Sequence, residues 1–283
     1  MASTQEADSV KSAKIGWIPA QGLSGRMRET WARGDFHRLG VEQLIVGERL
    51  CEEVDVRAGD RVLDIACGAG NTTLAAARRR ARCTGCDFVP ALLERAELRA
   101  SAEGLAIEWV EADAHALPFD DGSFDKVLST FGVMFAVDQR AADELLRVLH
   151  PGGTLGLSCW TPASAIGDIY RLNARFIAPP PDLRPPTQWA SGPRLRELFG
   201  DRVSALRLTE QVWRTRFASF SDWLELYRTW YGPTNTTFAS LDEQQQTEYT
   251  AGLEEIVNRH NRATDGTILA AYEYVNIVGV RAR

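Results

Sequence analysis

The sequence predicts an α/β protein in which a parallel sheet is covered by helices on both faces. Apolar runs of strand length alternate with helical segments between residues 61 and 160, a pattern typical of right-handed βαβ crossovers. A glycine turn, Gly68-Ala-Gly70, separates the first strand from the first helix of this series. Asp64, Asp87 and Asp113 lie at or just beyond the ends of the first three strands. Because ligands of such sheets bind outside the carboxyl ends of the strands, these acids are expected to share one crevice.

The composition of the chain indicates which partners and which cellular compartment to expect. The chain has 283 residues, 45% hydrophobic and 25% charged, with a net charge of -6. This acidic balance argues against nucleic acid as the partner, since phosphates require a basic face. No apolar stretch approaches the roughly 20 residues that span a bilayer, so no membrane insertion is expected. Residues 1–15 are polar and are interpreted as a disordered tail on a cytoplasmic protein.

Two of the cysteines have the Cys-x-x-Cys spacing of redox and zinc sites, Cys83-Thr-Gly-Cys86. A redox or zinc role would need a helix N-terminus or a second Cys/His pair. This pair lies within a strand-like run and has no second pair, so a structural role with reduced thiols is favoured. No pattern in the sequence predicts a metal site.

The elements divide the chain into a cap, a core and a closing region. Residues 16–56 are predicted to form a helical cap, with Leu44, Ile45, Leu50 and Val54 on one apolar stripe. The core, 57–162, contains predicted strands at 62–66, 82–87, 106–112, 125–131 and 154–160, with helices at 71–82, 91–102 and 139–149. The region 163–283 belongs to the same domain and contains helices at 192–200, 221–231 and 241–260 and strands at 203–217 and 266–280.

Two classes of nucleotide ligand fit a glycine turn of this kind. A dinucleotide fingerprint requires a small third residue for close helix packing, and Thr73 stands at that position. S-adenosylmethionine has no phosphate and presents an amino-acid head, a ribose diol and an adenine. Asp64, Asp87 and Asp113, with the backbone N–H of Ala114, supply hydrogen-bonding groups for these three parts in order. The residues therefore favour S-adenosylmethionine, with a dinucleotide-dependent oxidoreductase as the less favoured alternative.

Four motifs make the chain resemble the class I S-adenosylmethionine-dependent methyltransferases, especially the ubiquinone/menaquinone-type enzymes that act on small molecules. The first is Val62-Leu-Asp-Ile-Ala-Cys-Gly-Ala-Gly70, and the others occupy 85–93, 111–125 and 147–155. The resemblance implies a Rossmann-like, doubly wound sheet of seven strands, mostly parallel, whose last strand is antiparallel. It also implies that a helical lid, about 219–262, is inserted between the two closing strands.

The resemblance also implies cofactor-binding residues. The methionine head would be held by Asp64 and by the turn that includes Ala66, Gly68 and Gly70. The adenosyl group would contact Asp87, Phe88, Asp113 and Ala114. Thr130 and Phe131 would line the sulfonium side. A further hypothesis has Trp31, Phe36 and His37 closing over the cofactor from the cap.

The predicted reaction is in-line methyl transfer to a small acceptor that is apolar or aromatic, quinone-like or a secondary metabolite. Catalytic residues stay unassigned, and His37, His115 and Tyr227 are the candidates for a base. Candidate acceptor-binding residues are Trp160, Trp189, Trp223, Tyr227 and Tyr231. A protein of this fold repurposed for a non-methylating role is the principal alternative, and either a monomer or a homodimer is expected.

Overall fold

The computed structural model describes residues 23–179 and 183–283. The tail predicted at 1–15 and the beginning of the predicted cap lie outside these ranges. The strands of the described part are β1 (Arg61–Ile65), β2 (Arg82–Asp87), β3 (Ile107–Glu111), β4 (Phe124–Thr130), β5 (Leu149–Trp160), β6 (Val203–Phe217) and β7 (Ile268–Arg281). They form one sheet in the order β3-β2-β1-β4-β5-β7-β6. β7 is antiparallel to both of its neighbours, β5 and β6, so the predicted Rossmann-like sheet with an antiparallel last strand is confirmed.

Helices surround this sheet and build the cap and the lid. The cap helices are α1 (Leu23–Ala32), α2 (Phe36–Gly40) and α3 (Leu44–Glu53), and the crossover helices are α4 (Asn71–Arg78), α5 (Pro90–Ala102) and α6 (Gln139–Val148). After β5 come α7 (Ala165–Phe176) and α8 (Gly192–Phe199), and between β6 and β7 come α9 (Phe220–Trp230), α10 (Gly232–Ala239) and α11 (Glu243–His260). Neither α7 nor α10 was predicted from the sequence. No helix in the described ranges is long and apolar enough to cross a membrane.

The cap helix α3 buries only part of its predicted apolar stripe. Leu44 and Ile45 are 37% and 48% exposed, whereas Leu50 and Val54 are buried. A short 3-10 turn, Val41–Gln43, precedes the helix. Gly47 then packs tightly on α4, where an added Cβ would lie 3.0 Å from the Cα of Thr72. This close approach fixes the rotation of α3 and leaves Leu44 and Ile45 on the outside.

The sheet order reverses between β1 and β4, which are adjacent although two strands separate them in sequence. The chain leaves β1 towards β2 and β3 on one side and resumes at β4 on the other. The crossover helices therefore lie on opposite faces and open a crevice at the carboxyl ends of the central strands. This reversal places the glycine turn that follows β1 at the middle of the crevice.

All five cysteines are free thiols. Cys83 and Cys86 lie in β2, where each is buried. Burial raises the pKa of the Cys83 thiol to about 12, which keeps it protonated and unreactive at neutral pH. The structural interpretation of Cys83-Thr-Gly-Cys86 agrees with this placement.

Candidate functional site

A cavity lies at the carboxyl edge of the sheet, between the glycine turn, the cap and the lid. Its empty space, with the open solvent at its mouth included, is about 1370 Å³. The residues predicted from sequence that line it are Trp31, Asp64, Ala66, Gly68, Asp87, Phe88, Asp113, Ala114, His115, Thr130, Phe131, Trp160, Tyr227 and Tyr231. Acids from the ends of three strands are thus brought to one site.

The glycine turn adopts left-handed backbone conformations, with φ of +55° at Gly68 and +80° at Gly70. Glycine takes such angles without strain because it has no Cβ. Gly68 lines the cavity, but Gly70 lies behind it, where an added Cβ would be 2.7 Å from the indole of Trp109. Gly68 therefore exposes its backbone to the cavity, whereas Gly70 leaves room for the buried ring of Trp109.

The ends of β1 and β4 approach each other closely beside this turn. Ala66 and Phe131 both have positive φ, +52° and +59°, a conformation that non-glycine residues adopt mainly where the surrounding structure enforces it. An added Cβ on Gly132 would lie 2.6 Å from the carbonyl oxygen of Ala66. Glycine at 132 is therefore a packing requirement for the geometry of the cavity floor.

Asp64 presents a buried oxygen without a partner to the site. The residue is 1% exposed, and its Oδ2 accepts a 2.6 Å hydrogen bond from the hydroxyl of Thr73. Its Oδ1 is buried and has no hydrogen-bond partner within the described chain. Burial raises the pKa of Asp64 to about 7, and the nearby Asp87 adds to this shift. An ammonium group is the kind of ligand that would satisfy this oxygen, and the fit supports an amino-acid head at this position.

The raised pKa of Asp64 predicts how the stability of the cofactor-free protein changes with pH. The folded pKa of about 7 exceeds the ordinary value of 3.8, so the folded state binds more protons across this interval. The free energy of unfolding should therefore fall as pH rises from about 4 to about 7. In urea unfolding over this range, Asp64→Asn, which cannot ionise, should show a smaller decline than the wild type. Parallel pH profiles for the two proteins would contradict the assignment.

Asp87 is fixed by the backbone around it. Its Oδ2 accepts from the N–H of Gly68 and its Oδ1 from the N–H of Val89, both at 2.9 Å. Burial raises the pKa of Asp87 to about 6, and these hydrogen bonds oppose that shift. Each carboxylate oxygen can accept a further bond, so Asp87 could receive two hydroxyls. Phe88 and Leu92 add apolar surface beside it.

Asp113 and His115 form a connected pair at the other side of the cavity. Asp113 Oδ1 accepts from the backbone N–H of His115 at 2.9 Å and lies 2.6 Å from its ring Nδ1. The Nε2 of His115 lies 3.4 Å from Asp138. The hydrogen bond with Asp113 is the main cause that raises the pKa of His115. His115 is thus held between two carboxylates and positions Asp113.

Aromatic rings wall another part of the cavity. Phe131 stacks on Trp160 with ring centroids 3.6 Å apart. Trp31 meets Phe135 edge to face at 4.9 Å. Tyr231 contributes its ring, while its hydroxyl lies 2.9 Å from that of Tyr170. This part of the site offers flat apolar surfaces.

Besides Gly70, three of the candidate residues do not line the cavity. His37 is directed towards α5, where burial and the nearby Arg99 lower its pKa. Trp189 is 1% exposed and packs near Phe199. Trp223 is fully buried and donates from Nε1 to the hydroxyl of Tyr272 at 2.8 Å. We therefore leave these three side chains out of the proposed site.

Several lining residues were not predicted from sequence. They are Met27, Gln43, Thr72, Phe135 and Ile166. Phe135 lies five residues after the end of β4, so its proximity to the strand end could have indicated it. Ile166 belongs to α7, which was not predicted. Gln43 lies in the turn before α3 and carries no recognisable motif.

Comparison with known proteins relates both sequence and fold to methyl-transferring enzymes. A family model described as a methyltransferase domain matches residues 62–153. An uncharacterized protein of Mycobacterium tuberculosis is 38% identical over 223 residues, which cover 77% of this chain and 81% of that relative. The demethylmenaquinone methyltransferase of Thermus thermophilus is 41% identical over 128 residues, 44% of this chain and 58% of that enzyme.

The fold is also similar to solved structures. One is the geranyl diphosphate C-methyltransferase of Streptomyces coelicolor, in complex with Mg²⁺, geranyl-S-thiolodiphosphate and S-adenosylhomocysteine. It superposes with a TM-score of 0.51 at 20% identity, covering 84% of this chain and 76% of that one. At this identity the likeness concerns the fold alone.

Proposed function

Because the chain belongs to the class I S-adenosylmethionine-dependent methyltransferases, we propose that it methylates a small acceptor that is apolar or aromatic. The single observation that carries this proposal is the convergence of Asp64, Asp87 and Asp113 on one cavity that also has an aromatic end. The cofactor, S-adenosylmethionine, supplies a methyl group already activated by a sulfonium.

The acidic side of the cavity suits the cofactor. Asp64 would hold the ammonium of the amino-acid head through its unpartnered Oδ1, beside the backbone exposed at Ala66 and Gly68. Asp87 would accept the ribose hydroxyls, and Asp113 with the Ala114 N–H would bind the adenine edge. Each of these contacts pairs a carboxylate with a donor that the cofactor carries.

The aromatic side suits the acceptor. Trp160, Tyr227 and Tyr231 line it together with Phe135 and Ile166. Burial raises the pKa of the Tyr227 and Tyr231 hydroxyls above their ordinary range, so they stay protonated at neutral pH. These walls would align the acceptor for in-line attack, and such positioning contributes roughly 7–11 kcal/mol to rate enhancement.

A binding experiment followed by a turnover experiment tests this function. Calorimetric titration should show binding of S-adenosylhomocysteine and none of NAD. Incubation with S-adenosylmethionine and a panel of quinones, phenols and apolar metabolites should then yield a methylated product by mass spectrometry. Binding without transfer to any acceptor would favour a repurposed cofactor-binding protein, and binding of NAD alone would favour an oxidoreductase.

A further inference from the structure

Gln43 places an unpartnered amide on the wall of the cavity. The residue is 6% exposed and lines the cavity. Within the described residues, no hydrogen bond or other polar contact involves its side chain. The amide is also not among the buried polar atoms that lack a partner, so it is open to the cavity. Its donor and acceptor groups are therefore free to bind a ligand that enters there.

The turn that carries Gln43 is held against the first turn of α4. The carbonyl of Gly40 accepts a 2.7 Å hydrogen bond from Asn71 Nδ2. Gly47, four residues after Gln43, lies so close to α4 that an added Cβ would be 2.9 Å from the hydroxyl of Thr72. The first N–H groups of a helix lack partners within the helix and carry the positive end of its dipole. Gln43 thus stands beside a backbone terminus that favours an anion.

The charges of the cavity explain why a neutral amide matters there. The described residues that line it include three aspartates and no lysine or arginine. An amino-acid head group brings a carboxylate as well as an ammonium. Asp64 is suited to the ammonium only, so the carboxylate needs hydrogen-bond donors from elsewhere. The amide nitrogen of Gln43 and the first turn of α4 are donors of that kind.

We propose that Gln43 binds the carboxylate of the cofactor's amino-acid head, donating from Nε2 beside the first turn of α4 while Asp64 holds the ammonium. The proposal rests on the proposed function. It assigns to the cap a binding group outside the residues 62–153 that match the methyltransferase domain.

The test compares two ligands that differ only in the carboxylate, S-adenosylmethionine and decarboxylated S-adenosylmethionine, by calorimetry without acceptor. Gln43→Ala should weaken binding of the first by roughly tenfold to a hundredfold, as for a hydrogen bond to a charged group. It should leave binding of the second unchanged. Gln43→Glu, which places a negative charge opposite the carboxylate, should weaken binding of S-adenosylmethionine further still.

Two controls separate this role from a structural one. Leu44→Ala changes the adjacent cap residue, whose side chain is 37% exposed, and should bind both ligands as the wild type does. The free energy of unfolding of cofactor-free Gln43→Ala should fall by no more than about 2 kcal/mol, the loss expected for two buried methylene groups, because no hydrogen bond of the folded protein is lost. A larger loss that weakens binding of both ligands alike would indicate that Gln43 is structural and overturn the proposal.

Other outcomes also contradict it. If Gln43→Ala weakened the binding of both ligands equally, Gln43 would not bind the carboxylate. Unchanged binding of S-adenosylmethionine with a raised KM for the acceptor would move Gln43 to the acceptor side. If wild-type protein bound neither ligand, the proposed function itself would fail, a result that the variants alone could not produce.

Discussion

Asp87→Ala is expected to weaken binding of S-adenosylhomocysteine by about 1.5–3 kcal/mol, roughly 10- to 150-fold. The carboxylate is 5% exposed and would lose its bonds to the ribose hydroxyls. The substitution would also remove the hydrogen bonds that Asp87 accepts from the N–H groups of Gly68 and Val89. The glycine turn would therefore be held less firmly. Calorimetric titration of the variant measures the loss.

The matched control for this variant is Asp201→Ala, which removes an exposed carboxylate remote from the cavity lining. Its affinity for S-adenosylhomocysteine should equal that of the wild type. If Asp87→Ala also bound as tightly as the wild type, Asp87 would have to be removed from the proposed site.

Gly132→Ala is expected to lower the free energy of unfolding by about 1–3 kcal/mol, as overpacking does in a well-packed interior. The added methyl would lie 2.5 Å from the Cβ of Ala66 and 2.6 Å from its carbonyl oxygen. Backbone must move to relieve this contact, and the part that moves carries the cavity floor. Binding of S-adenosylhomocysteine should weaken together with stability, as measured by urea unfolding and by titration.

Gly192→Ala provides the control for a glycine substitution. An added Cβ there meets only the end of the flexible Arg196 side chain, at 3.4 Å, so neither stability nor binding should change much. Wild-type stability in Gly132→Ala would show that β1 and β4 are not as closely packed at this point as the structure indicates.

The sheet could be predicted because buried parallel strands appear in the sequence as short apolar runs between turn residues. β2 and β6 have the bounds predicted, Arg82–Asp87 and Val203–Phe217. α7 was missed, although Ser164 caps it by accepting from the N–H of Gly167. Its glycine weakens the helical pattern, yet it is required because a Cβ there would be 2.3 Å from the carbonyl oxygen of Pro162.

In the site, the acids could be predicted because each lies at or near the end of a strand and parallel strands end at one edge. The rotation of the cap could not be predicted. Adjacent residues on a helix point about 100° apart, so Phe36 lines the cavity and His37 does not. Trp109 shows the same limit, since its ring fills the space beside Gly70 through a contact between distant segments. Such contacts depend on side-chain packing that no local pattern records.

The insertion of the lid between β6 and β7 has a consequence for how this enzyme could be altered. Phe217 and Ile268, which flank the three lid helices, are paired neighbours in the sheet. The whole segment therefore begins and ends at neighbouring positions of the sheet, so it could be exchanged without changing the strands that carry it. Tyr227 and Tyr231, proposed for the acceptor, belong to this segment, whereas the three aspartates proposed for the cofactor do not. Exchange of the segment is therefore expected to change acceptor choice and leave cofactor binding intact.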